Sequence, residues 1–268
     1  MRYLVTGGAG FIGSNLVNRL IDEGHEVVVI DNESSDCHDN FYWNEEAENY
    51  KYDICEYDKI FPLFEDVDTV FHIAAQARIQ ICINNPTTAA KTNVYGTSCV
   101  LQAAKENGVR RLVYSSTSSA YGLSNTPPLV ETMPKDCLNP YSVTKVCGEE
   151  LCEMYTKLFG FETVIFRYFN VYGENQPLKG QYAPVVGIFQ RQVDAGIPMT
   201  VVGDGLQTRD YTHVSDVVEA NILASRTYNG AALGQIFNIG YGENLSVMDL
   251  VKMIGKGDSP KEFEDYVY

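Results

Sequence analysis

Tyr141 and Lys145 are the two residues whose types and spacing most directly suggest acid–base chemistry. They lie in the segment NPYSVTK, at positions 139–145, where Pro140 suits the first turn of a helix. Residues four apart share one face of a helix. An ammonium group beside a phenol lowers the pKa of the phenol, which predicts that Tyr141 acts as a general acid and base near neutral pH. With 18 tyrosines in the chain, the pair alone also fits an ordinary helix surface.

A hydroxyl-rich turn follows a short apolar strand in the segment RLVYSSTSSAYG, at positions 111–122. Thr117 in this turn is predicted to hydrogen-bond an oxygen of the substrate. The alternative is a turn hydroxyl that bonds its own backbone, and this alternative is adequate for Ser115, Ser116 and Ser118.

Three glycines, Gly7, Gly10 and Gly13, lie between a first strand and a first helix. Glycine permits a tight turn and a close approach of the backbone to a pyrophosphate, which the helix N-terminus then faces with its free N–H groups. Asp31 ends the second strand at the distance expected of a carboxylate that holds a ribose diol. Because Asp31 would repel a 2′-phosphate, NAD is favoured over NADP. Asp31 could instead form a turn before Asn32.

Alternating strand and helix patterns surround these motifs. Strands are predicted at Tyr3–Thr6, Val27–Ile30, Thr69–Ile73, Arg111–Ser115 and Thr163–Arg167, and amphipathic helices at Asn15–Glu23 and Val94–Asn107. This order predicts an α/β fold with a doubly wound parallel sheet, which binds ligands at the carboxyl ends of its strands. Residues 1–169 are predicted to form a Rossmann-like dinucleotide-binding domain. The loop-rich residues 170–268 are predicted to form a smaller substrate-binding lobe, except for a returning strand near 235–238.

Composition excludes several other classes of protein. The net charge of −15 disfavours nucleic acid and anionic membranes as partners, so an anionic substrate requires a local cationic pocket. No apolar run approaches the ~20 residues of a membrane span, and MRYLVTGG is not a signal peptide. A cytoplasmic protein with reduced thiols is therefore predicted from its seven scattered cysteines. The four histidines are far apart, so no metal site is expected.

Eight segments taken together resemble the extended short-chain dehydrogenase/reductase family, in particular its NAD-dependent nucleotide-sugar epimerases and dehydratases. In chain order they are TGGAGFIGSNL, YDI, HIAAQA, TNVYGT, YSSTSSAYG, NPYSVTK, RYFNVYG and GDGLQTRDYTHVSDVVEA. The resemblance covers nearly the whole chain, and eight motifs in order are far more specific than any one of them.

The resemblance implies a role for each matching position. The catalytic residues would be Thr117, Tyr141 and Lys145. Two of these three, Tyr141 and Lys145, would also contact NAD. The other residues that contact NAD would be Gly7, Gly10, Phe11, Ile12, Gly13, Asp31, Asn32, Asp53, Ile54, Ala74, Ala75, Gln76, Asn93 and Phe169. The substrate-binding residues would be Thr117, Asn170 and Arg209, the last two at the nucleotide diphosphate. Phe169 could also be a core residue, and Arg209 a surface partner of Asp210.

The implied reaction begins when Tyr141 takes the proton of a sugar hydroxyl and a hydride passes from C4 to NAD, which leaves a 4-keto sugar. Dehydratases and decarboxylases of the resembled family typically carry a carboxylate one or two positions after the catalytic threonine. Ser118 and Ser119 occupy these positions, which favours a 4-epimerase acting on UDP-glucose and UDP-galactose or their N-acetyl forms. A 4,6-dehydratase or a UDP-glucuronate decarboxylase or epimerase is the alternative. A non-catalytic NAD-binding regulator is disfavoured because Tyr141 and Lys145 are both present.

A homodimer is also expected from the resemblance, through helices near Thr92–Asn107 and Pro140–Phe159. Val146, Leu151, Met154 and Leu158 would supply apolar surface, although they could equally serve the core of one subunit. Similar enzymes typically continue past the last residue of this sequence with a segment that closes over the sugar. The lobe is therefore expected to be incomplete.

Overall fold

The computed structural model describes residues 1–35, 40–178, 184–255 and, as backbone, 261–264. The strands are β1 Arg2–Thr6, β2 Glu26–Ile30, β3 Glu48–Tyr50, β4 Thr69–His72, β5 Arg111–Thr117, β6 Glu162–Tyr168, β7 Val171–Tyr172, β8 Met199–Val202, β9 Thr208–Asp210, β10 Thr212–His213, β11 Gln235–Ile239, β12 Asn244–Ser246 and β13 Lys261–Glu264. The α-helices are α1 Phe11–Asp22, α2 Tyr57–Ile60, α3 Ile79–Asn84, α4 Pro86–Ala90, α5 Thr97–Glu106, α6 Pro140–Phe159, α7 Val185–Asp194, α8 Val214–Arg226 and α9 Val247–Ile254. A π-helical turn, Lys91–Gly96, joins α4 to α5.

Seven parallel strands form the central sheet, in the order β11-β6-β5-β4-β1-β2-β3. The chain moves outward from β1 to β3 on one side and from β4 to β11 on the other. The strand order therefore reverses between β1 and β4, and a doubly wound sheet opens a ligand crevice at that point, beyond the carboxyl ends of its strands. The predicted fold class is confirmed.

Two apolar layers cover the sheet. On one face, Val100 of α5 and Cys152 of α6 pack with the β-branched and aromatic residues of the strands. On the other face, Leu16 of α1 and Val217 of α8 do the same. Strands buried on both faces read as continuous apolar runs, as EVVVI in β2 and TVFH in β4 do. The helices of opposite layers thus hold the strand ends that carry the polar motifs.

A third, smaller apolar cluster lies in the C-terminal part of the chain. Phe189 of α7, Met199 and Val201 of β8, and Leu250 of α9 are buried against one another there. Two other elements of the C-terminal part return to the large sheet: β11 pairs with β6, and α8 packs in the layer of α1. Strands β7 and β10, and strands β9 and β12, form two separate two-stranded sheets.

The predicted strands all occur, with ends that differ by one or two residues. The first helix begins at Phe11 rather than Asn15, because Gly10 serves as N-cap and offers no polar capping side chain that a sequence pattern could register. The helix predicted at Val94–Asn107 is the π-helical turn followed by α5. Within the described ranges, no helix has both the length and the apolar character needed to cross a membrane.

Candidate active site and dinucleotide pocket

The glycine loop after β1 is shaped by close approaches that only glycine allows. Gly7 has φ +72°, and a Cβ there would lie 2.7 Å from the backbone nitrogen of Ala74, in the loop after β4. A Cβ on Gly13 would lie 2.1 Å from the carbonyl oxygen of Gly7. The loop, the first turn of α1 and the neighbouring strand end are therefore in direct contact. This leaves a concave backbone surface at the N-terminus of α1 that fits a pyrophosphate.

Asp31, at the end of β2, is anchored on both of its carboxylate oxygens. Oδ2 accepts a hydrogen bond from the backbone N–H of Ala9 at 3.1 Å, and Oδ1 accepts one from the N–H of Glu33 at 2.8 Å. Burial raises the pKa of Asp31, and these backbone hydrogen bonds act in the opposite direction. Asp31 therefore forms a turn with Glu33, which was the alternative role predicted from the sequence. It also links this turn to the glycine loop, and both line a large cavity described below.

Thr117 and Tyr141 meet at the carboxyl end of β5. Thr117 is the last residue of the strand, and its Oγ1 accepts a hydrogen bond from the backbone N–H of Ser119 at 3.1 Å. Asn139 caps α6 by accepting a hydrogen bond from Ser142, which fixes the first turn that carries Tyr141. Burial raises the pKa of the Tyr141 phenol, while a hydrogen bond with the Thr117 side chain acts to lower it. The Thr117 and Tyr141 side chains are therefore near enough for the threonine hydroxyl to influence the phenol, and both line the cavity.

Lys145 lies one turn further along α6 and is 2% exposed. Burial lowers the pKa of its ammonium group to about 7. The sequence-based expectation that a cation at Lys145 lowers the pKa of Tyr141 is therefore wrong for the protein alone, in which the pKa of Tyr141 is raised. The main reason is that the Tyr141 phenol is itself buried, which raises its pKa. Lys145 is desolvated as well and holds its charge weakly.

Asn93, in the π-helical turn, links the loop after β4 to the helix of Tyr141. Its Oδ1 accepts a hydrogen bond from the N–H of Gln76 at 2.7 Å, and its Nδ2 donates to the Gln76 carbonyl at 3.1 Å and to Thr144 Oγ1 at 2.9 Å. Thr144 in turn donates to the Tyr141 carbonyl at 2.9 Å. Asn93 is 1% exposed, so it supports the walls of the site from behind.

One cavity of about 920 Å³ brings most of the predicted residues together. Those that line it are Gly7, Gly10, Phe11, Ile12, Gly13, Asp31, Asn32, Ile54, Ala74, Ala75, Thr117, Tyr141, Lys145, Asn170 and Arg209. Four predicted residues are not among the described lining residues: Asp53, Gln76, Asn93 and Phe169. Asp53 accepts a hydrogen bond from the N–H of Cys55 at 2.8 Å in the turn before α2, and the Phe169 ring packs against Tyr121 at 6.3 Å.

The C-terminal part of the chain supplies Asn170 and Arg209 to this cavity. Asn170 follows β6, and its amide donates to the Asp210 carbonyl at 2.8 Å. The Asp210 carboxylate accepts hydrogen bonds from the N–H groups of Tyr241 and Gly242, each at 2.8 Å. Asp210 thereby fixes β9, the strand that also carries Arg209. The Asp210 carboxylate binds backbone N–H groups, in place of the Arg209–Asp210 surface ion pair that was the alternative from the sequence.

Sequence reasoning missed Arg78, which N-caps α3 and lines the cavity. The positive charge of Arg78 acts to lower the pKa of Tyr141. Its position five residues after Ile73, at the end of a predicted strand, was the available signal. Tyr211 and Gln207 also line the cavity, and no sequence pattern distinguished them from other loop residues.

The chain belongs to the NAD-dependent epimerase/dehydratase family, whose family model matches residues 3–240. A putative UDP-glucose 4-epimerase of Methanocaldococcus jannaschii is 38% identical to it, over 98% of this chain and 87% of that protein. The predicted family, the prediction of an enzyme and the NAD cofactor are confirmed.

Solved structures share the fold closely. The UDP-glucose 4-epimerase of Thermotoga maritima with UDP-glucose superimposes with a TM-score of 0.90 at 35% identity, covering 100% of this chain and 86% of that chain. The Thermus thermophilus UDP-glucose 4-epimerase complex with NAD gives a TM-score of 0.87 at 32% identity, covering 98% of this chain and 86% of that chain.

Proposed function

We propose that this protein is an NAD-dependent nucleotide-sugar 4-epimerase that interconverts UDP-glucose and UDP-galactose, or their N-acetyl forms, through a 4-keto intermediate. The relatives named above support the substrate class. The choice of epimerisation over dehydration rests on one observation, the composition of the cavity wall. Ser118 and Ser119 line it beside Thr117, and Asp31 is the one carboxylate among the described lining residues.

Tyr141 and Thr117 would perform the proton chemistry. Tyr141 Oη would accept the proton of the C4 hydroxyl when the sugar is oxidised and return it when the keto group is reduced. The Thr117 hydroxyl, which acts to lower the pKa of Tyr141, would orient the same oxygen and stabilise the phenolate. Lys145 would add positive charge behind Tyr141 in its protonated form. Since burial raises the pKa of Tyr141, catalysis depends on these neighbours for phenolate formation.

The described residues fit NAD. The glycine loop and the first turn of α1 would hold the pyrophosphate, Asp31 and Asn32 the adenosine ribose, and Ile54 the adenine. Bound NAD would supply the hydride acceptor and donor at the sugar C4. The loop of Ala74 and Ala75, braced by Asn93, would border the cofactor.

Arg209 and Asn170 would hold the nucleotide diphosphate. A chain with a net charge of −15 repels anions over most of its surface. Arg78, Lys145 and Arg209 nevertheless all line this cavity. A guanidinium group binds phosphate oxygens through paired N–H donors, which supports Arg209 as the diphosphate ligand.

Dehydration and decarboxylation are disfavoured by the same wall. Dehydration requires a group that removes the C5 proton and another that protonates the leaving hydroxyl of C6. Serine hydroxyls are poor donors and acceptors of protons near pH 7. Epimerisation requires neither group, because the hydride that leaves C4 is the one that returns.

Product analysis by NMR tests this proposal directly. Purified protein supplied with NAD would be incubated with UDP-glucose, UDP-galactose and their N-acetyl counterparts. Interconversion of C4 epimers without net NADH is the expected result. A 4-keto-6-deoxy product, or carbon dioxide released from a uronic acid substrate, would contradict it, and absence of turnover with every sugar would favour a binding role.

A double variant, Ser118→Asp with Ser119→Glu, tests the reasoning about the wall. It would place carboxylates where the dehydratase alternative needs them. Epimerisation should not improve, because that reaction uses neither position as an acid or base. A gain in epimerase turnover would show that the serines were selected for another reason.

The domain division, the dimer and the cytoplasmic location stay predictions. The separate apolar cluster of Phe189 and Met199 supports a distinct lobe within residues 170–268. On α6, Met154 and Leu158 are 36% and 68% exposed, and Tyr95 in the neighbouring π-helical turn is 53% exposed. Apolar side chains exposed on adjacent helices support association of two copies through this face.

A further inference from the structure

Two buried rings, those of His72 and Tyr114, lie behind the catalytic residues and have no part in the proposed proton chemistry, although both lie close to Lys145. His72 ends β4, Tyr114 lies in the middle of β5, and Lys145 packs over them from α6. His72 and Tyr114 are fully buried, and Lys145 is 2% exposed. The Lys145 Nζ lies 4.2 Å from the centroid of the Tyr114 ring, and the His72 ring lies 5.7 Å from the same ring.

An ammonium group removed from water needs a substitute for its hydration. The face of an aromatic ring provides one, because its quadrupole attracts a cation. The titratable groups near Lys145 are His72 on β4, Tyr114 on β5, and Glu149 and Cys152 on α6. Tyr141 lies one turn before Lys145 on the same helix. Glu149 is already bound to Arg167 through two hydrogen bonds. Tyr114 is thus the group that offers Lys145 a face at close range.

His72 carries no positive charge that would repel the Lys145 ammonium group, because its hydrogen bonds fit the neutral imidazole. Thr97 Oγ1 donates to the Asn93 carbonyl at 2.7 Å, so at 2.9 Å from His72 Nε2 it must accept the proton of that nitrogen. His72 Nδ1, 2.7 Å from Thr6 Oγ1, then accepts from the threonine hydroxyl. Burial lowers the pKa of His72 to about 3, with the nearby Lys145 as a further cause.

The Tyr114 ring is itself fixed against the helix that carries Lys145. Its hydroxyl donates to the Lys145 carbonyl at 3.2 Å. Gly148 makes room for this contact, since a Cβ at that position would lie 2.1 Å from the Tyr114 hydroxyl oxygen. Glycine inside a helix is less favourable than alanine, so the helix propensity of α6 is reduced at the position where Tyr114 packs against it.

We propose that Tyr114 is a positioning residue for Lys145. The face of its ring keeps the Lys145 ammonium group charged and in place at the back of the cavity, and its hydroxyl holds the turn of α6 from which Lys145 extends. The ring acts on the reaction through Lys145 and does not itself touch substrate. The proposal concerns the charge state of a side chain in the free protein, and only its effect on turnover rests on the proposed function.

Titration of Lys145 by NMR tests this in the ligand-free protein, with isotope-labelled lysine and the Lys145 signal assigned by its loss in Lys145→Met. Tyr114→Leu should lower the Lys145 titration midpoint by roughly one pH unit, which corresponds to about 1.4 kcal/mol and lies within the range of a desolvated cation–ring contact. Tyr114→Phe, which keeps the ring face and removes the hydroxyl, should retain most of the wild-type midpoint.

A series of fluorinated phenylalanines at position 114 separates the ring face from simple packing. Mono-, di- and pentafluorophenylalanine keep nearly the same shape while they progressively weaken the ring quadrupole. The Lys145 midpoint should fall step by step along the series relative to Tyr114→Phe. A flat series, or an unchanged midpoint in a folded Tyr114→Leu protein, would show that Tyr114 only fills the core. If Tyr114→Leu does not fold, the fluorinated series decides the matter.

Turnover of the nucleotide sugar provides the second measurement. Since deprotonated Lys145 no longer supports the Tyr141 phenolate, the alkaline limb of the pH profile should move to lower pH by roughly one unit in Tyr114→Leu and stay in place in Tyr114→Phe. A Lys145 midpoint that falls while the alkaline limb does not move would support the role of Tyr114 and count against the proposed role of Lys145. An unchanged midpoint would overturn the inference whatever the activity.

Discussion

Glu149 and Arg167 form a fully buried ion pair behind the strand that ends at Thr117. Arg167 Nε and Nη2 donate to the two oxygens of the Glu149 carboxylate at 2.8 and 2.7 Å. Ser116, next to Thr117, donates to the same carboxylate at 2.6 Å, and the Arg167 guanidinium lies 4.6 Å from the Tyr121 ring. Burial acts to raise the pKa of Glu149, but the bonds from Arg167 and Ser116 outweigh it and leave that pKa lowered.

Removal of the Glu149 charge should therefore destabilise the fold strongly. Glu149→Gln leaves the Arg167 cation buried without a counter-charge, and breaking a buried pair costs about 3–5 kcal/mol. Chemical denaturation measures this loss in the free energy of unfolding. Glu153→Gln, which breaks the exposed pair with Lys157 on the same helix, is the matched control and should cost about 1 kcal/mol or less. Equal losses in the two variants would contradict the buried pair's importance.

Stability should depend on pH through His72. Its pKa is lowered from 6.5 to about 3 in the folded protein, chiefly by burial. Between these values the unfolded chain binds a proton that the native state does not, so the free energy of unfolding falls as the pH falls through that window. In His72→Gln this part of the slope should vanish, although lost hydrogen bonds lower stability throughout. Denaturation curves at several pH values across the window provide the measurement, and parallel pH dependences in the two proteins would refute the assignment.

Tyr141→Phe should abolish most of the turnover while the fold and NAD binding remain. A general acid–base group contributes about 10²-fold or more to rate, and the variant removes only the hydroxyl. Steady-state kinetics gives the loss, and circular dichroism and NAD titration verify that the protein is otherwise intact. The control is Tyr228→Phe, since Tyr228 is 92% exposed on the surface. Near-normal turnover in Tyr141→Phe would show that Tyr141 is not the general acid and base.

Asp31→Ser should weaken the preference for NAD over NADP by roughly ten-fold or more, because it removes the carboxylate proposed to repel a 2′-phosphate and to bind a ribose hydroxyl. Serine can still accept a hydrogen bond from the glycine loop, which limits damage to the turn. Titration of cofactor-stripped protein with both dinucleotides measures the ratio. Asp22→Ser, at the exposed end of α1, should leave it unchanged. A wild-type protein that prefers NADP would show that Asp31 does not select NAD.

Association of two copies should depend on the exposed face of α6. Leu158→Glu places a charge where Leu158 is 68% exposed and where the predicted interface lies. Light scattering at micromolar concentration should show a dimer for the wild type and a smaller species for the variant. Leu223→Glu on α8, in the opposite layer and 59% exposed, is the control and should remain dimeric. A monomeric wild type would remove the prediction.

The sequence predicted those features of the fold and the site that depend on residues close together in the chain. Glycine spacing, the Tyr141–Lys145 pair and the apolar strand runs each report local geometry, and all led to elements that the structure contains. The buried partners could not be read in this way. Arg167 and Glu149 are 18 positions apart, and Tyr114 meets Lys145 across 31 positions, so only the packing of α6 on β5 and β6 brings these pairs together. The direction of the Tyr141 pKa was misjudged because burial, which sequence spacing does not convey, outweighs the neighbouring charge.

The pairing of β11 with β6 has a consequence for synthesis on the ribosome. The edge of the sheet at β6 is complete at Tyr168, but its partner strand begins only at Gln235, and α8, which packs on the sheet, begins at Val214. A nascent chain that has passed Tyr168 therefore exposes an open strand edge and an uncovered apolar face until the later segments emerge. Open edges of this kind invite pairing with other chains. The interval between these points in translation is the period in which the chain exposes most of the surface that favours pairing with other chains.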